Sequence, residues 1–207
     1  CSTRTAVGTN SALCVRPTLP GEFNVSVGGS GSAACNSVPL SWTDSSDATA
    51  YRILRGSPRV DITPYQPYIA QNFTDTTDIG QNTSYIYQIE AYNTAGATRS
   101  NTLNVTTPYC PPTIDAFSAI PASIYQGQTS TLTWASTYTT SCAASGAWSG
   151  PKTLSGSAIV TPSSPPPSVI TYTLTCSGPG PGGSAVKSAT VTITPLGLPD
   201  WREIIPR

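Results

Sequence analysis

The chain has 207 residues, enough for two ordinary domains that each bury a core of their own. Only 10% of the residues are charged, with ten basic and ten acidic side chains, so no electrostatic field exists to gather nucleic acid or anionic lipid headgroups. The chain has no apolar run of about 18 residues, the length that would span a bilayer. We therefore predict no nucleic-acid partner and no membrane insertion.

Six cysteines occur in a chain without histidine: Cys1, Cys14, Cys35, Cys110, Cys142 and Cys176. Because zinc sites that mix cysteine and histidine cannot be built here, disulfides are the simpler account, and we predict no metal site and no cofactor. A redox-active pair is disfavoured, since no Cys-x-x-Cys spacing occurs. Disulfides persist outside the cytoplasm, so we expect an extracellular or cell-surface location. Cys1 also resembles the lipid-modified first residue of a bacterial lipoprotein, which makes a lipid anchor one alternative.

Short alternating runs of Val, Ile, Leu, Tyr and Thr follow one another along the chain, and Gly, Pro, Asn and Asp separate them. Such runs are typical of strands joined by turns. Twenty prolines and 17 glycines punctuate them, which suits a β-sandwich better than a low-complexity linker. The predicted fold class is all-β.

One pattern of strands occurs twice. Segments 38–42 and 131–134 each place a leucine two residues before a tryptophan, and alternation puts both side chains on a buried face. Strands that begin with tyrosine, 85–89 and 172–176, follow the tryptophans after 43 and 38 residues. We predict one architecture used twice, with a boundary near residues 108–112.

The first unit is expected to contain seven strands, at 23–27, 38–42, 51–55, 61–63, 72–74, 84–92 and 99–105. Within residues 19–108 the sequence resembles a fibronectin type III domain. The residues that carry this resemblance are Trp42, Tyr51, Ile79, Thr83, Tyr85, Ile89, Ala91, Asn93 and Gly96. It implies a sandwich with Trp42 and Tyr51 in the core, and a tyrosine corner in which nearby backbone satisfies the Tyr85 hydroxyl and the ring fills the core.

Within the second unit, residues 109–195, the sequence from about 112 to 195 resembles a bacterial immunoglobulin-like domain of secreted and surface proteins. The segments that carry this resemblance are 127–134, 140–142, 148–150 and 171–176. It implies that Trp134 and Tyr172 lie in the core. It also implies a disulfide between Cys142 and Cys176 that joins neighbouring strands.

The remaining cysteines allow several connectivities from sequence alone. In the sandwich that the resemblance implies, Cys35 precedes the second strand and Cys110 follows the last strand, at the same end of the domain. We therefore expect Cys35 to pair with Cys110. Cys1 and Cys14 would then close a small loop within an N-terminal segment, residues 1–18.

Groups that could carry catalysis are scarce, and we predict no catalytic residues and no enzymatic activity. Without histidine there is no Ser/His/Asp or Cys/His nucleophile. The only lysines are Lys152 and Lys187, and Lys187 is expected on the outer face of the last strand. Glycoside hydrolysis needs a pair of acids, whereas the second unit offers only Asp115.

Two pairs of aspartates, Asp44 with Asp47 and Asp75 with Asp78, stand in turns rich in Ser and Thr. Short acidic side chains in such turns usually accept hydrogen bonds from their own backbone, which is the expectation for these four. A weak Ca²⁺ site between loops is the alternative. No ligand loop of known spacing supports it.

An apolar C-terminal tail, residues 196–207, follows the last predicted strand. Its candidates for subunit contact are Leu198, Trp201, Ile204 and Ile205. Apolar residues at a terminus usually have a partner, so the tail is predicted to fold back on its own domain, to lead into a further domain, or to bind a neighbouring subunit. Self-association and neighbouring domains of a larger surface protein are the expected partners.

These features predict a non-enzymatic extracellular structural protein. It would be a secreted or cell-surface subunit or fragment of a bacterial surface filament, stalk or adhesin, stabilised by disulfides. The alternative is a carbohydrate-binding or spacer module of a secreted polysaccharide-degrading enzyme, with a glycan as partner. That alternative requires an exposed aromatic strip, for which Trp148 and Tyr138 are the candidates, although a packed structural role is favoured for Trp148.

Overall fold

The computed structural model describes residues 16–29, 31–67 and 71–196 of the chain. Throughout these residues the secondary structure is β-strand and turn, so the fold is all-β. The chain divides into two compact units, Cys1–Pro108 and Tyr109–Arg207. Most of the predicted N-terminal segment and C-terminal tail, residues 1–15 and 197–207, lies outside the described residues.

The first unit contains eight strands: β1 (Val25–Val27), β2 (Val38–Trp42), β3 (Ala50–Arg55), β4 (Val60–Asp61), β5 (Asn72–Asp75), β6 (Ser84–Asn93), β7 (Gly96–Arg99) and β8 (Leu103–Thr106). One sheet has the order β1-β2-β5 and the other has the order β4-β3-β6-β7, with β8 also paired to β6. Strand β2 shows why the sequence folds this way, since alternate side chains from Val38 to Trp42 are buried.

The prediction of seven strands is wrong at the end of the unit, where the expected strand 99–105 is interrupted. Strand β7 pairs with one part of β6 and β8 with another. Between them the Asn101 side chain bonds to the backbone of Val25 in β1, accepting its N–H at 2.6 Å and donating to its C=O at 3.2 Å. At Asn101 the chain therefore contacts β1 through a side chain, and the backbone ladder with β6 is interrupted.

Buried side chains from both sheets form the core of the first unit: Phe23, Val25, Val38, Leu40, Trp42, Tyr51, Ile53, Tyr87, Ile89 and Ala91. Tyr85 is half-buried and packs against this cluster. The Tyr51 ring meets Phe23 edge to face, with ring centres 5.8 Å apart, and lies 5.7 Å from Trp42.

The second unit also contains eight strands: β9 (Thr113–Ile120), β10 (Ser123–Tyr125), β11 (Ser130–Thr137), β12 (Ser141–Gly146), β13 (Gly150–Lys152), β14 (Ser155–Val160), β15 (Ser168–Ser177) and β16 (Ser184–Thr194). The sheets have the orders β14-β11-β9 and β10-β16-β15-β12-β13. After β9 the chain passes Pro121 and changes sheet, because β10 pairs in parallel with β16.

The core of the second unit lies between its two sheets and is formed by Ile114, Phe117, Ala119, Ile124, Leu132, Trp134, Cys142, Tyr172, Leu174, Cys176, Ala189, Val191 and Ile193. Cys142 and Cys176 stand directly opposite each other on β12 and β15, and they form a disulfide with an S–S distance of 2.03 Å. The bridge joins neighbouring strands within one sheet.

Cys35 and Cys110 are also disulfide-bonded. Cys1 and Cys14 lie outside the described residues. The pairing of Cys35 with Cys110, and of Cys1 with Cys14, stays a prediction.

Candidate functional site

A buried carboxylate organises one face of the first unit. Glu90 on β6 is 5% exposed and lies opposite Arg52 of β3 and Arg99 of β7. Arg52 Nη2 lies 2.6 Å from Glu90 Oε1, and Arg99 Nε lies 2.8 Å from Oε2. The Tyr65 hydroxyl donates to the same carboxylate, while Arg52 also reaches Asp61 of β4 at 2.5 Å. Strands β3 and β7 and the segment that carries Tyr65 are thus bonded to one acid on β6, and β4 is linked to it through Arg52.

The titration behaviour of this cluster follows from its contacts. Burial by itself raises the pKa of Glu90, but the bonds donated by Tyr65, Arg99 and Arg52 outweigh burial and hold that pKa below its usual 4.5. Burial and the bond to Glu90 raise the pKa of Tyr65 to about 12. Glu90 is therefore held as a carboxylate and Tyr65 as a neutral donor at neutral pH.

A second buried carboxylate links the two sheets of the first unit. Asp75 on β5 is 1% exposed, and Arg55 Nη1 of β3 lies 2.6 Å from its Oδ2. The Tyr87 hydroxyl on β6 donates to the same oxygen at 2.8 Å, and the N–H of Thr77 donates to Oδ1 at 3.0 Å. Burial and the bond to Asp75 raise the pKa of Tyr87. Asp75 thus ties the sheet of β5 to the sheet of β3 and β6.

The turn aspartates behave in two ways. Asp75 accepts the N–H of a residue two positions later, as expected for a turn aspartate. Asp44 instead accepts the Tyr51 hydroxyl at 2.7 Å, and Asp47 accepts the Thr18 hydroxyl at 2.9 Å, so these two carboxylates bond to side chains. Within the described ranges, no group of three or more His, Cys, Asp or Glu side chains is placed to hold a metal ion.

Tyr85 has the geometry that the sequence indicated for a tyrosine corner. Its hydroxyl accepts the N–H of Gly80 at 2.6 Å and donates to the C=O of Asp78 at 3.2 Å. The hydroxyl therefore fixes the turn that precedes β6, while the half-buried ring packs on the core.

An aromatic cluster occupies one end of the second unit. Trp148, between β12 and β13, stacks on Phe117 with ring centres 5.6 Å apart and meets Trp134 edge to face at 5.0 Å. The ammonium group of Lys152 lies 4.6 Å from the centre of the Trp148 ring. Trp148 is half-buried, whereas Tyr138 is 43% exposed. Three side chains thus lie against the Trp148 ring, which packs as part of the domain.

A cleft of about 380 Å³ opens beside Trp148. Its walls come from both sheets and include Ile159 and Val160 of β14 and Ile170 and Tyr172 of β15. Burial raises the pKa of Tyr172, so its hydroxyl is protonated at neutral pH. No charged side chain is among the described residues that line this cleft.

Lys187 lies on the last strand, as predicted, and is exposed, but the prediction of the outer face is wrong. Its partner across the ladder is the fully buried Leu174, so Lys187 lies on the face of β16 that is turned toward the other sheet. Its ammonium group donates to the C=O of Ile114 at 3.3 Å and to that of Asp115 at 3.2 Å, both on β9. Lys187 therefore covers the backbone of an edge strand.

Sequence reasoning missed the clusters around Glu90 and Asp75. The sequence did contain an indication of these clusters. In a chain with few charges, Arg52 and Arg55 stand on the third predicted strand and Glu90 on the sixth. The four tail residues proposed for subunit contact, Leu198, Trp201, Ile204 and Ile205, lie outside the described residues. The part of the chain that the structure describes contains no helix long and apolar enough to cross a membrane.

No protein-family model and no curated protein matches the sequence. Fibronectin type III domains are among the solved structures to which the chain is similar. A two-domain fibronectin type III segment from chicken tenascin has 12% identity and a TM-score of 0.45, over 84% of this chain and 98% of that one. The fibronectin(III)-like modules of CbhA from Clostridium thermocellum have 10% identity and a TM-score of 0.33, over 84% and 94% of the two chains. The domain from human fibronectin type III domain containing protein 3 has 18% identity and a TM-score of 0.32, over 48% and 93%.

Proposed function

We propose that this chain is a non-enzymatic structural protein of the extracellular space, a subunit or fragment of a bacterial surface filament, stalk or adhesin. The observation that carries the proposal is that the buried acidic side chains are all engaged in contacts within the fold. Among the described residues the buried carboxylates are Asp75 and Glu90, and each one is bonded to arginine and tyrosine side chains from other parts of the unit. These acids hold strands together and are not free to react.

The covalent and aromatic contacts of the second unit support the same role. The Cys142–Cys176 bridge closes a segment with a sequence separation of 34 residues inside one sheet. Disulfides persist in oxidising compartments, which supports a location outside the cytoplasm. The arrangement of β9 and β10 on opposite sheets supports the proposal that this unit is a bacterial immunoglobulin-like domain. Attachment of a lipid to the sulfur of Cys1 stays an alternative to the predicted Cys1–Cys14 disulfide.

The alternative is a carbohydrate-binding or spacer module of a secreted polysaccharide-degrading enzyme. Binding to a polysaccharide surface needs flat aromatic rings that are free on one face. Trp148 is already in contact with Phe117, Trp134 and Lys152, which favours a structural role for this residue. The spacer form of the alternative makes the same mechanical demand as a stalk, so the two share a first test.

That test is single-molecule stretching of the full chain, with the disulfides intact and after reduction. With the bridge intact, the residues between Cys142 and Cys176 should add no length when the second unit unfolds. In the unfolding event of the second unit, opening this bridge by reduction should release a further extension of about 120 Å, from 34 residues at about 3.6 Å each. The matched control is a Cys142→Ala, Cys176→Ala variant, which should show the longer extension without reductant.

A chain that extends at the lowest applied force, without a distinct unfolding event for either unit, would contradict a mechanical role. Incubation of the same chain with a panel of polysaccharides tests the alternative. Retention of the chain by an insoluble polysaccharide, reduced by Trp148→Ala but not by Tyr125→Ala, would favour the binding module.

A further inference from the structure

The edge strands of the second unit differ in how they are protected. An exposed edge offers unpaired N–H and C=O groups to any extended chain, and proteins usually block it with charge, proline or short length. Strand β9 contains Asp115 and has two of its carbonyls covered by Lys187. Strand β13 is Gly150–Lys152 and contains a proline and a lysine, and β10 has only three residues.

Strand β14 lacks charge, proline and short length, although the Thr153 hydroxyl donates to the C=O of its first residue, Ser155, at 2.7 Å. Its six residues, Ser155–Val160, contain no charge and no proline. It pairs with β11 along its whole length and stands at the end of its sheet, so its other side is an edge in the described structure. Ile159 is 74% exposed, and Leu154 just before the strand is 40% exposed. Of the four edges in the described part of this unit, β14 is the one most open to an added strand.

The cleft beside Trp148 lies along the end of this edge. Ile159 and Val160 of β14 form one wall, and Tyr172 lies on the opposite sheet. When a peptide adds to a sheet, main-chain hydrogen bonds supply affinity and pockets for alternate side chains supply specificity. An open edge and a cleft of about 380 Å³ beside it supply both requirements.

We propose that β14 accepts an added strand, and that the donor is the C-terminal segment, residues 197–207, of a neighbouring copy. This inference rests on the proposed structural function and specifies how subunits would join. The donor carries large apolar side chains at Leu198, Trp201, Ile204 and Ile205. Residues 200–205, between Pro199 and Pro206, form a proline-free stretch of six residues, the same length as β14.

The path to β14 favours the tail of a neighbour over the tail of the same chain. Strands β14 and β16 end at the same end of the unit, since the 161–167 loop returns the chain to Ser168, the partner of Ile193. Strand β9 packs on β16 and lies two strands from β14, so a tail of the same chain would have to cross about 14 Å along the sheet and about 10 Å between sheets to reach the free side of β14. The tail of a neighbouring copy can reach that side from outside the unit and does not have to make this crossing.

The full-length chain tests this inference through its mass in light scattering as concentration rises. Wild type should assemble, and Ile159→Lys should shift assembly to at least about tenfold higher concentration, because an edge lysine opposes strand addition. The matched control is Ile120→Lys. Ile120 and Ile159 both lie opposite Thr131 in the same sheet, on its two different edges, and Ile120 is 68% exposed.

Peptides test the donor and do not depend on whether a variant folds. An excess of the free peptide of residues 196–207 should dissolve the wild-type assembly. The same peptide with alternate backbone nitrogens methylated keeps its side chains but cannot form the ladder, so it should have no effect. An active methylated peptide, or equal loss of assembly in both lysine variants, would overturn the inference.

A wild-type chain that stays monomeric and does not bind the fluorescently labelled peptide would also overturn it. This result would leave the structural function in place if the stretched chain still unfolds in distinct events. Conversely, assembly through β14 by a chain without mechanical resistance would contradict the structural function alone.

Discussion

At the scale of single residues, the first unit buries two of its few charged side chains, Asp75 and Glu90. Glu90 receives bonds from Arg52, Arg99 and Tyr65, although the chain has only 10% charged residues. Removing one partner of a buried ion pair is costly because the other charge is left without compensation. Such a cluster fixes the register of β3, β6 and β7, since a slip of one residue would turn these side chains to the other face.

The hydroxyl of Tyr65 gives a prediction for alkaline pH. Its folded-state pKa, about 12, lies above the usual 10, so its contribution to stability is complete below pH 10 and is lost as pH rises toward 12. We expect Tyr65→Phe to lower the free energy of unfolding by about 1–2 kcal/mol at pH 7. Urea unfolding at a series of pH values should show that this difference disappears between pH 10 and 12.

A matched control for this prediction is Tyr125→Phe, which changes an exposed tyrosine of the second unit. The variant should follow the wild-type curve at every pH. Other tyrosines with a raised pKa, such as Tyr51 and Tyr87, are present in both proteins and cancel in the comparison. A constant difference between Tyr65→Phe and wild type from pH 7 to pH 12 would contradict the assignment.

Individual residues also show where sequence reasoning ends. Alternation places Tyr85 and Tyr87 on the same face of β6, but it cannot rank their depth. In the structure Tyr87 is fully buried and its hydroxyl donates to Asp75. Tyr85 is half-buried, and its hydroxyl bonds to the turn before the strand. The difference depends on partners from other strands, which a single-strand pattern does not contain.

At the scale of strands, most elements follow from alternation, and the exceptions have local causes. Strand β2 begins and ends at the predicted residues, 38 and 42. The expected strand 99–105 has an alternating pattern too, yet it breaks because Ser100 and Asn101 bond to backbone. Ser100 Oγ accepts the N–H of Ile89, and Asn101 bonds to Val25. Polar side chains that compete for backbone groups interrupt a ladder in ways that hydrophobic patterns do not reveal.

The contact between Asn101 and β1 gives the second prediction. Asn101→Ala should lower the stability of the first unit by about 1–3 kcal/mol, because the N–H of Val25 loses its partner inside the domain. Hydrogen exchange measured by NMR should show a faster rate at the amide of Val25. The exposed Asn104 on β8 is the matched control, and Asn104→Ala should change stability by less than about 0.5 kcal/mol. Unchanged exchange at Val25 would contradict a bridging role for Asn101.

At the scale of the whole chain, the two units have separate cores. No residue of the core that contains Trp42 belongs to the core that contains Trp134, in the clusters of buried residues that the structure describes. Both units contain disulfide-bonded cysteines, but their other interactions differ. The first has buried ion pairs at Glu90 and Asp75, and the second has a cluster of aromatic rings in addition to its cross-strand disulfide.

Separate cores predict separate unfolding. Cys142→Ala combined with Cys176→Ala removes a cross-link with a sequence separation of 34 residues, which should cost the second unit about 3–4 kcal/mol. Calorimetry should show two transitions in the wild type, and the variant should move only the one assigned to the second unit. Glu90→Gln provides the reciprocal change, because it weakens an ion cluster confined to the first unit. If either variant shifted both transitions equally, the two cores would unfold as one cooperative body, and a chain of independent spacers would be the wrong description.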